Sequence, residues 1–512
     1  METFKPYKPA TVSNNGIVVS QNRRAAAAGA AVLRQGGNAV DAAVVTVLVL
    51  SVVEPWMSGI GGGGFLLRAD GASGEVSALG FNVKSSGKAR PLDYPIDGDA
   101  AIGWFGWPPV VDDRNLLGYS SIAVPGTVAG LAEALRAFGT LSWADALSPA
   151  IAEAKRGLEI DWYGSLFLAM DAGDLAKFPE SRATFLRNGM PPVSGEMGQP
   201  VVLALRKKAE LLTQLATRGW EDFYRGELAQ SIVSDLAEGG SSVTADDMAG
   251  YQAEWLKPIF QRYRDLDVFV IPGLSGGPTL LDALRRLSDA NLHAGTDRAQ
   301  VALAYADAIR GAYDRRLETM GHAATNDPGC TSHVSVVDKS GTLVSVTNTL
   351  LSRFGSKVVL PGSGLLMNNG MMWFDPVPGR ANSIAPGVQP LANMCPLILK
   401  KGGKAVAALG AAGGRTIFPN LLQIISAISD FGLSVEDALS IPRIEASTPK
   451  ILVSSRDQEG VLSALATRYE VEVAEEEVHP ARFGRPGAIV WEADSFVGMS
   501  HPLSPWAAAI SA

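Results

Sequence analysis

Two threonines, Thr331 and Thr349, open the question of chemistry. They lie on the two arms of "TSHVSVVDKSGTLVSVTNTL", residues 331–350. Both arms alternate and are rich in β-branched residues, so they read as a β-hairpin turning over Lys339-Ser340-Gly341. Antiparallel pairing would bring Thr349 close to Thr331. Threonine is a weak nucleophile unless a base adjoins it. At a chain N-terminus its own α-amino group, titrating near neutrality, is that base. Such a site requires the chain to be cut just before Thr331, a neighbouring hydroxyl to orient the nucleophile, and backbone N–H donors for the oxyanion. Thr349 is a candidate for the hydroxyl. The glycines of "GAAGGRTIFPN", residues 410–420, are candidates for the donors, since glycine lets N–H groups approach a substrate. Spacing alone does not separate this reading from two ordinary strand threonines. His333 shares the face of Thr331 on an alternating strand and reads as a positioning or packing residue rather than a triad base.

The elements that must position these residues follow from periodicity. Residues 16–70 read as strand, helix, Gly-Asn turn, buried helix, Gly-rich turn and strand. The turn "GIGGGGFLLRAD", 59–70, lacks the GKS/T ending and the helix of a nucleotide loop, so close backbone packing is expected there. Residues 125–300 are expected to be mainly helical, with helices closed by glycine and one strand at "RDLDVFVIPG". After residue 331 come the hairpin, strands at "KVVLPGSGLLMNNG", "PLILKKGGKAVAALGAAGG", "YEVEVAEEEV" and "GAIVWEAD", and one helix, "FPNLLQIISAISDFG". This is an α/β chain whose later sheet is carried by residues after 331.

Composition narrows the function. The chain has 512 residues, 47% hydrophobic and 19% charged, which fits a well-packed enzyme rather than a disordered chain. A net charge of -8 and the lack of a basic run argue against nucleic acid as a partner. Two cysteines, Cys330 and Cys395, cannot build a disulfide framework or a four-ligand zinc site, and five scattered histidines make a metal centre unexpected. Cys395 stands among apolar residues and is expected in the core. The apolar run 39–55 is interrupted by Asp41 and stopped by Glu54-Pro55, too short for a bilayer, so a buried helix and no membrane association are expected. The first residues lack a signal-peptide core, and the expected location is cytoplasmic.

The stretches "GGNAVDAAV" (36–44), "EPWMSGIGGGGF" (54–65), "VPGTVAGL" (124–131), "TSHVSVVDKSGTLVSVTNTL" (331–350), "LLMNNGM" (365–371) and "AAGGRTI" (411–417), in this order, resemble the γ-glutamyltranspeptidase family of N-terminal nucleophile (Ntn) hydrolases along nearly the whole chain. The resemblance implies a four-layer αββα sandwich built from two chains after self-cleavage at Cys330–Thr331. Residues 1–330 would form the large subunit and 331–512 the small one. It implies Thr331 as nucleophile, Thr349 bonding its hydroxyl, Gly413 and Gly414 forming the oxyanion hole, and no cofactor.

The chain departs from that family where the glutamyl head group is held. The arginine that holds the α-carboxylate is replaced by Asn82 in "GFNVKSS", with Lys84 two residues on offering charge without the bidentate fork. The asparagine two after the second catalytic threonine is Leu351, and the aspartate that receives the α-amino group is Trp373. The paired serines become Ala392 and Asn393, and the lid segment, residues 375–389, is short. A pocket built to bond a charged group loses several kcal/mol, roughly, when such partners are absent. Trp56 and Trp373 read as pocket lining or as core. Arg353 and Arg415 read as acid-binding residues or as salt-bridge partners. The expected function is therefore hydrolysis of an amide of a small acyl substrate, of the oxamate-like or cephalosporin acylase type, through a threonyl acyl-enzyme. The alternatives are a γ-glutamyl hydrolase or transferase acting on glutathione, and a non-catalytic binding protein on the same fold.

Overall fold

The structure, a computed structural model, describes residues 6–98, 107–194, 199–320 and 330–512. The expected loop before Thr331, "GHAATNDPG", lies outside the described residues. Two seven-stranded sheets stack face to face, and every strand pair in both is antiparallel. The first sheet runs Ala508–Ser511, Gly16–Ser20, Cys330–Asp338, Leu343–Leu351, Gly63–Ala69, Val76–Phe81, Glu254–Leu256. The second runs Thr11–Ser13, Ser495–Ser500, Arg485–Glu492, Lys404–Ala412, Leu397–Lys401, Leu266–Val270, Ile259–Tyr263. Ile17, Val19, Leu67, Val337, Ile398, Ala408 and Ile489 fill the layer between them. Alternation along the same strands sends Val18, Leu66, Val334 and Val346 to the outer face of the first sheet, against helices Arg23–Arg34, Ala39–Val53 and Thr127–Phe138. Helices Gly277–Ser288, Arg298–Thr319 and Ile417–Ser429 cover the other sheet, giving αββα.

Helix Ala39–Val53 shows why the sequence builds these layers. All its residues are buried, as expected for a helix apolar on every side. Asp41, the apparent interruption, closes a capping box with Asn38 and accepts from Thr140 and Leu141 N–H groups at 2.7 and 3.0 Å. The helix ends at Glu54, before Pro55.

Three expectations are corrected. Each sheet draws strands from both sides of residue 331, rather than one sheet being carried by later residues. Within the helical middle, Ile259–Tyr263 is a strand paired with Leu266–Val270, its two-residue turn taking Arg264 to φ +54°. The stretch "KVVLPGSGLLMNNG" contributes only an isolated Val359–Leu366 bridge, while Val435–Ser440 and Glu459–Ala466 add two helices.

Candidate active site

Thr331 and Thr349 are brought together by an irregularity in the hairpin. Cys330 pairs with Leu351 and Ser332 with Asn348, so Thr349 and Leu350 both stand opposite Thr331. This is a bulge, a device that re-aims side chains at the cost of one ladder bond. Both threonines are buried. The Oγ1 of Thr349 accepts the N–H of Leu351 at 2.8 Å, where the chain turns to φ +82°. That bond holds the Thr349 side chain against its own strand with Oγ1 as the acceptor.

The Gly-rich turn supports the bulge from behind. A Cβ at Gly62 would lie 2.0 Å from the carbonyl oxygen of Thr349, so only glycine allows the approach. Leu350 N–H bonds Met57 C=O at 3.3 Å and Phe354 N–H bonds Trp56 C=O at 3.0 Å. On the helix side, Ser332 Oγ donates to Glu54 at 3.3 Å. Burial pushes the Glu54 carboxyl up to about 8, so it carries a proton at neutrality. Sequence reasoning missed Glu54; its place just before the glycine turn was the available signal.

His333 ties the Thr331 strand to the second sheet. Its ring nitrogens meet Thr347 Oγ1 at 3.1 Å and Ser335 Oγ at 2.9 Å, and its ring sits where a Cβ of Gly410 would be. Burial lowers its pKa to about 3, so it is neutral, and both nitrogens are engaged by hydroxyls. Ser335 and Ser345 add cross-sheet bonds to Ala408 and Leu409 carbonyls at 3.2 and 2.9 Å. These contacts register the Thr331 strand against strand Lys404–Ala412, which runs on into Gly413 and Gly414 at φ +135° and +57°. Helix Ile417–Ser429 starts directly after, placing the positive end of its dipole at this turn.

Asn82 is buried, its Nδ2 donating to Pro390 C=O at 3.3 Å and its Oδ1 accepting from Val83 N–H at 2.9 Å. Lys84 is paired with Glu254 at 2.8 Å and lies over the Tyr251 ring. Leu351, Trp373 and Ala392 are buried in the inter-sheet apolar layer with Val83 and Met394. The Trp373 indole N–H has no partner among the described residues. Asn393 Oδ1 accepts from Arg316 at 3.2 Å. Arg316 also donates to Ala392 C=O at 2.9 Å, Ser275 C=O at 3.0 Å and Thr279 Oγ1 at 2.9 Å. This buried arginine was also missed; nothing local marks one arginine of "YDRRLE" as interior. Arg353 bonds Asp171 at 2.7 Å, and Arg415 is buried, stacked on Tyr313 and bonded to Ser447 at 3.0 Å. Trp56 is core, stacked on Phe167. Cys395 is core as well. No helix among the described residues is long and apolar enough to cross a membrane.

A four-layer αββα sandwich with a threonine at the head of a central strand, a second threonine across the ladder and a diglycine at the end of the facing strand defines an Ntn hydrolase, an enzyme acting on amide bonds. The chain belongs to the gamma-glutamyltranspeptidase family, whose profile matches residues 25–328 and 318–511. It is 34% identical over 502 residues to the Acylase ACY 1 proenzyme of Pseudomonas sp. (strain SE83), covering 90% of this chain and 88% of that protein. It is 29% identical over 515 residues to the glutathione hydrolase proenzyme of Bacillus subtilis (strain 168), covering 90% and 85%. Among solved structures, cephalosporin acylase from Bacillus halodurans superposes with a TM-score of 0.84 at 25% identity, covering 100% of this chain and 98% of that one. The γ-glutamyltranspeptidase of Helicobacter pylori gives 0.52 at 30% identity, covering 61% and 85%.

Proposed function

We propose that this enzyme is an autoprocessing acylase whose substrate is a small amide lacking the α-ammonium group of a γ-glutamyl compound. The observation that carries the reading is the apolar cluster of Leu351, Trp373 and Ala392, together with Asn82 spent on Pro390, at the positions where the family resemblance places head-group contacts. Burying an ammonium against those side chains without partners is unfavourable by several kcal/mol, roughly. Similarity to the acylase proenzyme and to cephalosporin acylase supports the same reading. A terminal carboxylate on the acyl group is compatible with the site. Lys84 is committed to Glu254 and the terminal nitrogens of Arg316 to four protein acceptors, so the buried Arg316 Nε–H, without a partner among the described residues, is the donor we assign to that end of the pocket.

In this mechanism the bond between Cys330 and Thr331 is first cut, giving subunits 1–330 and 331–512 and freeing the Thr331 α-amino group. That amine takes the Thr331 hydroxyl proton as Oγ1 attacks the amide carbonyl. The N–H groups of Gly413 and Gly414 hold the oxyanion, and Thr349 orients the nucleophile. The amine product leaves with the proton, and water, activated by the same α-amino group, hydrolyses the threonyl ester. The test is kcat/KM for γ-glutamyl, glutaryl and short-chain acyl p-nitroanilides, since that ratio reports differential transition-state binding. Glutaryl or short-chain acyl groups should exceed γ-glutamyl by at least tenfold, and N82R/W373D should narrow the gap. A wild-type preference for γ-glutamyl would replace this reading with glutathione hydrolase activity, as in the Bacillus subtilis relative.

A further inference from the structure

A cavity of about 220 Å³ lies on the helix-facing side of the first sheet. Its walls are apolar, from Val52, Pro55, Phe185, Leu350 and Leu366. Leu350 belongs to the outer core cluster, and strand alternation turns it away from the face that carries Thr349. The cavity is therefore separated from the two threonine hydroxyls by the sheet itself.

Three polar features converge on this apolar space. Ser58, from the Gly-rich turn, is 0% exposed, lines the cavity, and its Oγ has no hydrogen-bond partner among the described residues. A buried hydroxyl without a partner is uncommon and calls for a ligand or water. Helix Arg206–Arg218 starts at the cavity with Arg206, Lys207 and Lys208, no acidic residue in its first turn, and no side-chain cap. Its first internal bond is from Ala209 N–H to Leu205 C=O, so the N–H groups before it look out of the positive end of the helix. Basic residues at that end are unfavourable for the helix alone, and an anion at this end would relieve their repulsion. Lys207 is already paired, with Glu180 at 2.7 Å. Lys208 lines the cavity and has no carboxylate partner among the described residues. Its surroundings are dry enough to lower its pKa to about 8.

We propose that this cavity is a second binding site, distinct from the amide pocket, for a small amphipathic carboxylate whose head meets Lys208, Ser58 and the helix N-terminus and whose tail fills the apolar walls. With Lys207 neutralised by Glu180, which also lines the cavity, Lys208 and Ser58 beside mostly apolar walls select a monoanion with a hydrocarbon tail. Inorganic phosphate and short acids would leave the walls unfilled.

The test is isothermal titration of the purified enzyme with octanoate, octan-1-ol and acetate. Saturable one-site binding of octanoate is expected, with acetate and octan-1-ol at least tenfold weaker. K208M should weaken octanoate at least tenfold and S58A about threefold. K208R should stay within threefold of wild type, and K208M should still hydrolyse its amide substrate. T331A should bind octanoate unchanged, and octanoate should not compete with the amide substrate. The proposal fails if octan-1-ol binds as tightly as octanoate, if K208M and S58A bind as wild type does, or if octanoate competes for the amide pocket. Should the variants not fold, the three ligands on the wild-type enzyme decide it alone.

Discussion

Thr349 Oγ1 accepts the N–H of Leu351, a bond inside the hairpin, and this makes its role separable from substrate binding. T349A should lower kcat by about 10²-fold with KM little changed, the usual size for one positioned proton-handling group. It should also lose about 1–3 kcal/mol of stability, because the Leu351 N–H is buried without its acceptor. T349S should restore both. A change confined to KM would move Thr349 into the substrate pocket. Glu54, one side chain away through Ser332, gives a different readout. Its folded pKa of about 8 lies above the ordinary glutamate value of 4.5. The folded state therefore keeps a proton that the unfolded chain releases. The resulting stabilisation is full below pH 4.5, declines between 4.5 and 8, and is gone above 8. Gln mimics the protonated acid at every pH. The Tm of E54Q relative to wild type should rise from pH 4.5 to 8 and then level off, with a slope of up to about 1.4 kcal/mol per pH unit. Parallel Tm curves would show that Glu54 is ionised in the folded protein.

The turn between strand Lys404–Ala412 and helix Ile417–Ser429 determines where the N–H groups of Gly413 and Gly414, the proposed oxyanion donors, point. Gly413 sits at φ +135°, and a Cβ there would lie 2.5 Å from Thr416 Oγ1 and 3.0 Å from Gly484 Cα. G413A must therefore shift the turn. It should lose about 1–3 kcal/mol through backbone strain and at least 10²-fold in kcat, the scale of a lost oxyanion donor. Thermal melts and initial rates on the same preparation separate the two effects. A variant that loses stability but keeps its rate would leave Gly413 as a structural turn residue only. The hairpin moves with this strand, because Ser335 on the Thr331 strand and Ser345 on the adjacent strand donate to the carbonyls of Ala408 and Leu409.

Both sheets interleave segments from before and after the Cys330–Thr331 bond, and this shapes what cleavage can do. The Cys330–Asp338 strand pairs with Gly16–Ser20 on one side, and Leu343–Leu351 pairs with Gly63–Ala69 on the other. Cutting the bond leaves those ladders and the cores between them in place. Wild-type enzyme should therefore run as two bands on a denaturing gel and as one species on a sizing column. T331A should give one uncut band and no amidase activity, since one hydroxyl serves both reactions. Full activity from an uncut wild-type chain would remove Thr331 from the nucleophile's role.

By itself the sequence determined the hairpin, the buried helix Ala39–Val53 and the threonine and glycine motifs, because alternation, capping and turn residues act over a few positions. Leu351, Trp373 and Ala392 could likewise be read as departures from a polar head-group site, since the change of side chain is visible in place. The tertiary structure alone decided what each long polar side chain does. Lys84 is drawn to Glu254 on the edge strand, Arg316 reaches across to Ala392 and Asn393, and Glu54 meets Ser332. Their partners lie tens to hundreds of residues away in sequence, and a flexible charged chain goes to whichever counter-charge or carbonyl the packed sheets bring within reach. The sharing of both sheets between early and late segments was hidden for the same reason: a strand's alternation names its buried face but not the strand beside it.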